Sequence, residues 1–429
     1  MNKNNVDITK KIGLCCSCGI CKNVCPKKCI VYKREKGMYI PVINNDSCIH
    51  CRICADVCPG IQETYEYNEP LQAVLGTVLK SYNAWSRDSD IRRVSASGGC
   101  ISTIVTELLQ SKKYDVAFMV NTYSYDNQLL MVPIFEIQDI KNSNLPKSRY
   151  LPVSHENVVS FMLEHRDKRM ILIGTSCALR GLRKVVSRFQ LNRDNFLFIG
   201  LFCDKVFNYN VYDYLANCYA ENKEVSALHF KNKESGGWPG NMKLLFCDGS
   251  YTYLDKSIRV GLKDYFVPER CLYCIDKMNV SADIAFGDNY TNQNSSPKGS
   301  NSVIIRTRLG EQVWSMISPC LEYEPVSVEE IGNAQYLDDR LNNLNFAQLK
   351  MKKLANKDYE TLNLFEDVQT DESYEDYAYK YYQTMKESAL GANYLERSTQ
   401  IIFPFKRSQR FSDSIVKLYF RAKRRFLKR

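Results

Sequence analysis

The stretch CCSCGICKNVCP at residues 15–26 returns as CIHCRICADVCP at residues 48–59. The cysteines at positions 15, 18, 21 and 25 each have a counterpart 33 positions later, so this segment is an internal duplication. Three cysteines separated by two residues each, followed by a Cys-Pro pair, have the spacing of bacterial proteins that bind two 4Fe-4S clusters. The duplication therefore predicts a ferredoxin-like module over residues 1–66.

The spacing also predicts which thiols share a cluster. Three closely spaced thiolates wrap one cubane, and the chain has turned away before the fourth cysteine, which ligates the other cluster. The expected ligands are Cys15, Cys18, Cys21 and Cys58 for cluster I, and Cys48, Cys51, Cys54 and Cys25 for cluster II. Pro26 and Pro59 disfavour helix in the residue before them, which suits a chain that leaves a cluster.

Disulfides and zinc are the alternatives for these cysteines. Disulfides are disfavoured because the N-terminus lacks the apolar core of a secretory signal, and we expect a reducing, cytoplasmic setting. Zinc usually takes two pairs of ligands across a longer gap. Cys16 and Cys29 lie inside the module but outside the ligand spacing, and we expect them to be small buried thiols.

The net charge of +10 is confined to one end of the 429-residue chain. Residues 397–429 hold 11 Lys or Arg and one acidic residue, whereas the remaining residues hold 47 of each sign. The body therefore gives no support for nucleic-acid binding. The pattern of the tail predicts a basic amphipathic helix. Such a helix either contacts an anionic membrane surface peripherally or packs on the protein's own body or on a partner protein. No apolar run reaches the roughly 18 residues that span a bilayer.

Beyond residue 66 strands alternate with helices, which predicts an α/β body covering residues 67–160 and 161–328, with a helical extension at 329–429. The fold class expected is therefore multidomain, a ferredoxin-like module followed by an α/β body with a mixed sheet. Ser97, Gly98 and Gly99 open the first helix of the body, and free backbone amides at a helix start hold phosphate. Serine before glycines is also an ordinary N-cap, which is the alternative.

Two further loops follow apolar strands at 170–173 and 196–202. They carry Thr175 and Cys177 in the first and Cys203 in the second. In open parallel sheets ligands sit where strands end at their carboxyl side, so these residues are candidates, with buried structural thiols as the alternative.

A C-x-x-C pair and an arginine complete the candidates. A lone C-x-x-C such as Cys271 and Cys274 is compatible with half of a metal site, with a redox-active dithiol or with a pair of thiols packed in the core. Arg306 ends an apolar strand and is a candidate partner for a phosphate.

These motifs, in this order, resemble those of the family of the coenzyme F420-reducing hydrogenase beta subunit, where F420 is a deazaflavin coenzyme. The likeness rests on the two cysteine runs, RVSASGG at 93–99, GTSCALRGL at 174–182, CLYC at 271–274 and SADIAFGD at 281–288. The resemblance implies a flavin, usually FAD, in the body, with Ser97, Gly98, Gly99, Thr175, Cys177 and Arg306 at positions that match flavin-lining stretches. At 203–206 many relatives read Cys-His-Gly-Val, whereas this chain has Cys203-Asp204-Lys205-Val206, which puts a proton-transfer role for that loop in doubt.

The sequence thus predicts an iron-sulfur flavoprotein oxidoreductase with two 4Fe-4S clusters. We expect electrons to pass between a low-potential donor, either ferredoxin, reduced deazaflavin or nicotinamide, and a small organic substrate. A non-catalytic electron-relay subunit of a larger redox complex is the alternative, and a flavin-free scaffold with structural clusters is a third. Catalytic residues and oligomeric state are left open.

Overall fold

The computed structural model describes residues 5–61, 74–120, 128–136, 147–272, 274–291, 296–338 and 340. The strands are β1 Ile30–Glu35, β2 Met38–Ile43, β3 Lys80–Ser86, β4 Val116–Val120, β5 Met131–Ile134, β6 Met170–Thr175, β7 Phe196–Leu201, β8 Val225–Asn232, β9 Asn241–Phe246, β10 Tyr251–Leu254, β11 Ile284–Asp288, β12 Asn301–Ile305 and β13 Leu321–Pro325. The α-helices are α1 Asp7–Lys11, α2 Ile20–Asn23, α3 Ile53–Asp56, α4 Ser89–Val94, α5 Cys100–Gln110, α6 Glu156–Glu164, α7 Ser176–Arg188, α8 Asn210–Tyr219, α9 Lys256–Phe266, α10 Glu269–Leu272, α11 Arg308–Ile317 and α12 Val328–Ala334.

The N-terminal module is built around the hairpin of β1 and β2. Its turn residues Lys36 and Gly37 both have positive φ, at 49° and 73°, which matches the right-handed twist of a two-residue hairpin. A short helix follows the start of each cysteine run, so that Cys21 lies in α2 and Cys54 in α3. The Lys36-Gly37 pair between two short strand-like runs, Ile30 to Tyr32 and Met38 to Val42, predicts such a hairpin, and the antiparallel pairing of β1 with β2 confirms it.

An eight-stranded sheet forms the body in the order β13-β3-β12-β11-β7-β6-β4-β5. The central strands β11, β7, β6 and β4 run parallel, and the outer pairings are antiparallel. The parallel strands read as near-continuous apolar runs because helices cover both of their faces. The mixed sheet expected from the sequence is confirmed, and its parallel centre aligns the carboxyl ends of β6, β7 and β11 at one edge.

A second, smaller sheet has the order β10-β9-β8 and is antiparallel. It packs with α8 and α9 around its own apolar core, whose largest fully buried side chains include Tyr214, Phe230 and Phe266. This insertion lies between β7 and β11 in sequence, so it brings the segment that carries Cys271 and Cys274 back to the edge where β7 ends.

Helix α7 joins the module to the body. The Lys184 ammonium donates to the carbonyls of Cys58 at 2.9 Å and Ile61 at 2.7 Å. A Cβ at Gly181 would lie 2.5 Å from Cδ1 of Ile20 and 3.3 Å from Cδ of Pro59. A side chain at position 181 would therefore have to displace Ile20, so Gly181 favours the close approach of this helix to the cysteine loops.

The structure also revises one sequence expectation. The segment 174–177 was expected to be a loop, but β6 continues through Thr175 and α7 begins at Ser176. The cause is burial, since Gly174 is paired with Gly200 inside the sheet and hydrogen bonding there continues the strand. Most of the predicted helical extension, including the basic tail at 397–429, lies outside the described residues, as do the residues around the expected boundary at 66. Within the described part of the chain, no helix is long and apolar enough to cross a membrane.

Candidate iron-sulfur and flavin sites

A pocket in the module contains the four thiols predicted for cluster II. Cys25, Cys48, Cys51 and Cys54 all line it, and Cys29 is a fifth thiol in its wall. The Sγ atoms of Cys25 and Cys29 are 3.4 Å apart. Cys51 is exposed to solvent. The pocket therefore brings Cys25 of the first run together with Cys48, Cys51 and Cys54 of the second run, and their ligation of cluster II stays a prediction.

The thiols predicted for cluster I are buried between the module and α7. The charge of Cys58, from the second run, acts on Cys15, Cys18 and Cys21 of the first run. Burial raises the pKa of Cys15 to about 12, and burial is also the main cause that raises the pKa of Cys21. Such thiols become thiolates only when a metal supplies positive charge. The Tyr32 hydroxyl lies 2.9 Å from Sγ of Cys21, a contact of the kind that tunes a cluster's potential.

The thiols predicted for cluster I do not converge on one point, and neither do those predicted for cluster II. Among the described residues, no group of three or more His, Cys, Asp or Glu side chains converges so as to hold one metal ion. A cubane carries its four thiolates on four separate irons, so its ligands surround a volume larger than one ion.

A third set of four thiols lies in the body, and we call Cys177, Cys203, Cys271 and Cys274 the body thiol set. Burial raises the pKa of Cys203, and the charges of the other three members raise it further. Burial raises the pKa of Cys271 to about 12, with Cys274 and Cys177 adding to the effect. Each of these four thiols is thus close enough to the others for their charges to interact. The set lies at the edge where β6 and β7 end.

The surroundings of the body thiol set favour an anionic cluster. Cys177 lies in the first turn of α7, whose N-terminal dipole stabilises negative charge. Arg270 acts on Cys271, Cys177 and Cys274, and lowers the pKa of each against the larger effect of burial or thiol contact. Four thiols, a helix N-terminus and a neighbouring guanidinium fit a 4Fe-4S cluster. Sequence reasoning left Cys271 and Cys274 unassigned and placed Cys177 with the flavin, so it missed this grouping.

Cys16 connects cluster I with the body thiol set. The Cys177 and Cys18 thiols have the largest influences on the pKa of Cys16, which lies well above its usual range. The main influence on the pKa of Cys177 is this contact with Cys16, which raises it. The sequence predicted that Cys16 is a small buried thiol, but the structure shows that it touches one member of each set. The two sets are therefore adjacent through a single side chain.

Asp204, which stands where many relatives have histidine, is part of an ion-pair network. Its carboxylate contacts the Arg340 guanidinium and lies 3.1 Å from the Lys263 ammonium. Burial would raise the pKa of Asp204, but Arg340 and Lys263 outweigh it and hold that pKa well below its usual range. Arg340 also donates to the Cys274 carbonyl at 3.0 Å. The ionised carboxylate of Asp204 links the Cys203 loop to the Cys274 loop through Arg340. Its role is to position these loops rather than to transfer protons.

The loop predicted to face the flavin packs tightly on the sheet. The Ser97 hydroxyl donates to the Ser300 carbonyl at 2.7 Å. A Cβ at Gly98 would lie 2.6 Å from Oδ1 of Asn301 and 2.8 Å from the Ala84 carbonyl. Gly99 has φ of +87° and precedes α5 without a side-chain cap. The glycines thus have a packing role, and the first amide of α5, that of Cys100, donates to Oδ1 of Asn301 at 3.5 Å.

Thr175 ends β6 at the carboxyl ends of the parallel strands, whereas Arg306 follows β12 at their amino ends. The Thr175 hydroxyl is 3.4 Å from Sγ of Cys177, beside the body thiol set. Arg306 follows β12 at the level of Asp283, where β11 begins, and donates to the carbonyls of Leu75 and Thr77 at 2.8 and 2.7 Å. The structure thus brings Thr175 and Cys177 together and separates Arg306 from the Ser97 loop by the length of β12. A phosphate contact for Arg306 stays a prediction.

Comparison with known proteins identifies matching families in three segments. Residues 81–156 and 167–329 match the N-terminal and C-terminal parts of the coenzyme F420 hydrogenase/dehydrogenase beta subunit. Residues 41–60 match the 4Fe-4S binding domain. These segments cover the second cysteine run and most of the sheet.

Relatives and a solved structure show the same likeness. A subunit of the F(420)H(2) dehydrogenase of Methanosarcina mazei is 25% identical over 365 residues, which are 78% of this chain and 94% of the relative. The coenzyme F420-dependent sulfite reductase of Methanocaldococcus jannaschii is 24% identical over 76% of this chain, which spans about half of that protein (49%). A chain of the F420-reducing NiFe hydrogenase complex from Methanosarcina barkeri shares the fold, with a TM-score of 0.50, 18% identity, and coverage of 66% of this chain and 94% of that chain.

Proposed function

Because the chain belongs to the family of the coenzyme F420 hydrogenase/dehydrogenase beta subunit and carries a 4Fe-4S binding domain, it is an oxidoreductase-type iron-sulfur protein, and we propose that it is also a flavoprotein. In this proposal it passes electrons between a low-potential donor and a small organic substrate. Flavin, when bound, exchanges single electrons with iron-sulfur centres and electron pairs with organic molecules.

The observation that carries the proposal is the serial placement of three thiol sets. Exposed Cys51 belongs to the cluster II set, and Cys54 of that set acts on Cys21 of the cluster I set. Cys16 then contacts both Cys18 and Cys177. Such a series leads from the protein surface to the carboxyl edge of the sheet, where open α/β sheets bind ligands. Electrons would enter at cluster II and leave at that edge, or the reverse.

The flavin part of the proposal rests on the start of α5. Gly99 leaves the first turn without a side-chain cap, and the neighbouring Ser97 is almost fully buried beside the end of β11. This geometry suits the phosphate of a flavin nucleotide, and the resemblance favours FAD. The names of both relatives refer to the deazaflavin coenzyme F420. A reduced deazaflavin is therefore one candidate donor, beside ferredoxin and nicotinamide.

An absorption spectrum of anaerobically purified protein tests the flavin directly. Flavin bands at about one flavin per chain, with FAD released on denaturation, are expected. Their absence after reconstitution with FAD would remove the flavoprotein proposal and leave the iron-sulfur assignment standing.

The relay subunit is the second candidate, and the relatives favour it, because one is named as a subunit and the solved structure is of a complex. Purified protein that holds its cofactors yet reduces no small acceptor until a second polypeptide is added would select the relay. Turnover of a small acceptor by the chain alone would exclude it.

A further inference from the structure

A fifth thiol lies in the pocket predicted to hold cluster II. Cys29 lines this pocket together with the four predicted ligands, and it is only 7% exposed. Its Sγ atom is 3.4 Å from that of Cys25. Burial raises the pKa of Cys29 to about 12, and the Cys25 and Cys48 thiols raise it further, so Cys29 lies close to thiols of both cysteine runs. The pocket therefore offers five thiols to a cluster that takes four.

A turn of the chain returns Cys29 to the side of Cys25. The Lys28 amide donates to the Cys25 carbonyl at 3.0 Å, which closes a four-residue turn with Pro26 at the second position, where proline is favoured. Lys28 has a positive φ of 48°, an uncommon conformation for a residue other than glycine. The Asn44 amide, just beyond β2, then donates to the Cys29 carbonyl at 2.9 Å. The backbone around Cys29 is thus held beside Cys25.

The internal duplication separates Cys29 from the repeated ligand pattern. The residues 33 positions after Cys25 and Cys29 are Cys58 and Gln62. The second run therefore repeats the Cys-Pro pair but carries glutamine where the first run carries a further cysteine. Cys29 is an addition to the repeated pattern, placed at the end of the first run.

We propose that Cys29 is an alternative ligand of cluster II, which takes the iron of Cys25 when Cys25 leaves it. The four ligands of one cubane bind four separate irons, so two thiols whose sulfur atoms are in contact compete for one iron. In the exchange, the bond between iron and Sγ of Cys25 breaks, and a bond between iron and Sγ of Cys29 forms. Cys29 loses one proton and Cys25 gains one. One thiolate replaces another, so the exchange needs no electron donor or acceptor.

Burial distinguishes the two thiols that compete for this iron. Cys25 is half-buried and Cys51 of the same pocket is exposed, whereas Cys29 is buried. Chemical modification of cysteine follows exposure, so Cys25 is more vulnerable than Cys29. Exchange to Cys29 would keep four ligands on the cluster after Cys25 is modified. The inference goes beyond the proposed function and rests on the prediction that this pocket holds cluster II.

Iron and acid-labile sulfide analysis of the full-length protein, purified without oxygen, tests the exchange. Cys25→Ala and Cys29→Ala should each keep the iron content of the wild type, because the remaining thiol completes the ligand set. The double variant should lose up to about four irons per chain, since three thiols cannot hold every corner of a cubane. Cys51→Ala is the matched control. It removes a ligand of the same pocket but leaves the pair of Cys25 and Cys29 at one corner, so it should lose iron as the double variant does.

Electron paramagnetic resonance of the reduced variants gives a second readout. The signal of cluster II should be unchanged in Cys29→Ala and shifted in Cys25→Ala, where the fourth ligand comes from another position in the chain. If Cys25→Ala loses iron as Cys51→Ala does, or does not fold, Cys29 does not replace Cys25 and the proposal is overturned. Iron loss from Cys29→Ala alone, or full iron in the double variant, also overturns it.

Two further measurements separate this proposal from the assignments around it. If Cys51→Ala keeps all of its iron, the cluster II assignment is wrong and the alternative ligand is refuted with it. Flavin content, measured in the same samples, reports on the proposed function alone, because the exchange at Cys25 and Cys29 is expected with or without bound flavin.

Discussion

Replacing Cys271 by alanine tests whether the body thiol set holds a cluster. Two sets of four thiols in the module and one in the body give wild-type protein about 12 iron atoms per chain, since each cubane takes four. Cys271→Ala leaves three body thiols, which cannot complete a cubane, so about eight irons should remain. The expected loss is one third of the iron and of the acid-labile sulfide.

The assay is iron and sulfide analysis of protein purified without oxygen, with electron paramagnetic resonance of the reduced state. Cys247→Ala is the matched control, because it also removes one thiol, but an exposed one at the end of β9. It should keep about 12 irons. A wild-type protein with about eight irons, unchanged by Cys271→Ala, would refute the assignment and return this thiol to a packing role.

Three further outcomes are expected. Cys16→Ala should keep all iron but lower the reduction potential of the cluster ligated by Cys18, because it removes a neighbouring thiol whose interaction with Cys18 is expected to stabilise the reduced cluster. Cys16→Ser should largely restore that potential in a potentiometric titration. Asp204→Asn should lower the free energy of unfolding in urea by about 1 kcal/mol at pH 7, since solvent screens a carboxylate that is 42% exposed while Arg340 is buried. Because the folded pKa is depressed, that stabilisation is present above about pH 4 and is lost as the pH falls further, so the two proteins should converge in acid. Deleting residues 397–429 should reduce binding to anionic vesicles and leave iron unchanged; unaltered vesicle binding would remove the membrane interpretation of the tail.

The ferredoxin module was predictable because its information is local. Every ligand of clusters I and II lies within 44 residues, in a spacing that only a few metal sites use. The hairpin at Lys36 and Gly37 was equally local, since a two-residue turn fixes its own backbone conformation. Where the signal lies in short-range spacing, the sequence alone can predict the 4Fe-4S domain, which the family match at residues 41–60 supports, and the ligands expected for it.

The body thiol set was not predictable in the same way, because its members are far apart in sequence. Cys177 and Cys203 follow neighbouring parallel strands, and that placement did suggest a common edge. Cys271 and Cys274 reach the edge only after the chain has formed the small sheet, and periodicity cannot say where such an insertion returns. The role of the lone C-x-x-C pair, Cys271 and Cys274, therefore stayed ambiguous until the topology showed where the pair lies.

Asp204 shows how a departure from a family pattern gains a physical meaning. The sequence indicated only that a proton donor expected from relatives was missing from the loop after β7. The structure gives the carboxylate two cationic neighbours, and Arg340 extends the contact to the carbonyl of Cys274. A histidine at this position would be neutral or cationic and could not form an ion pair with the buried guanidinium, whereas an aspartate can. The substitution and Arg340 are thus best understood together, as one ion pair that links the Cys203 loop to the Cys274 loop.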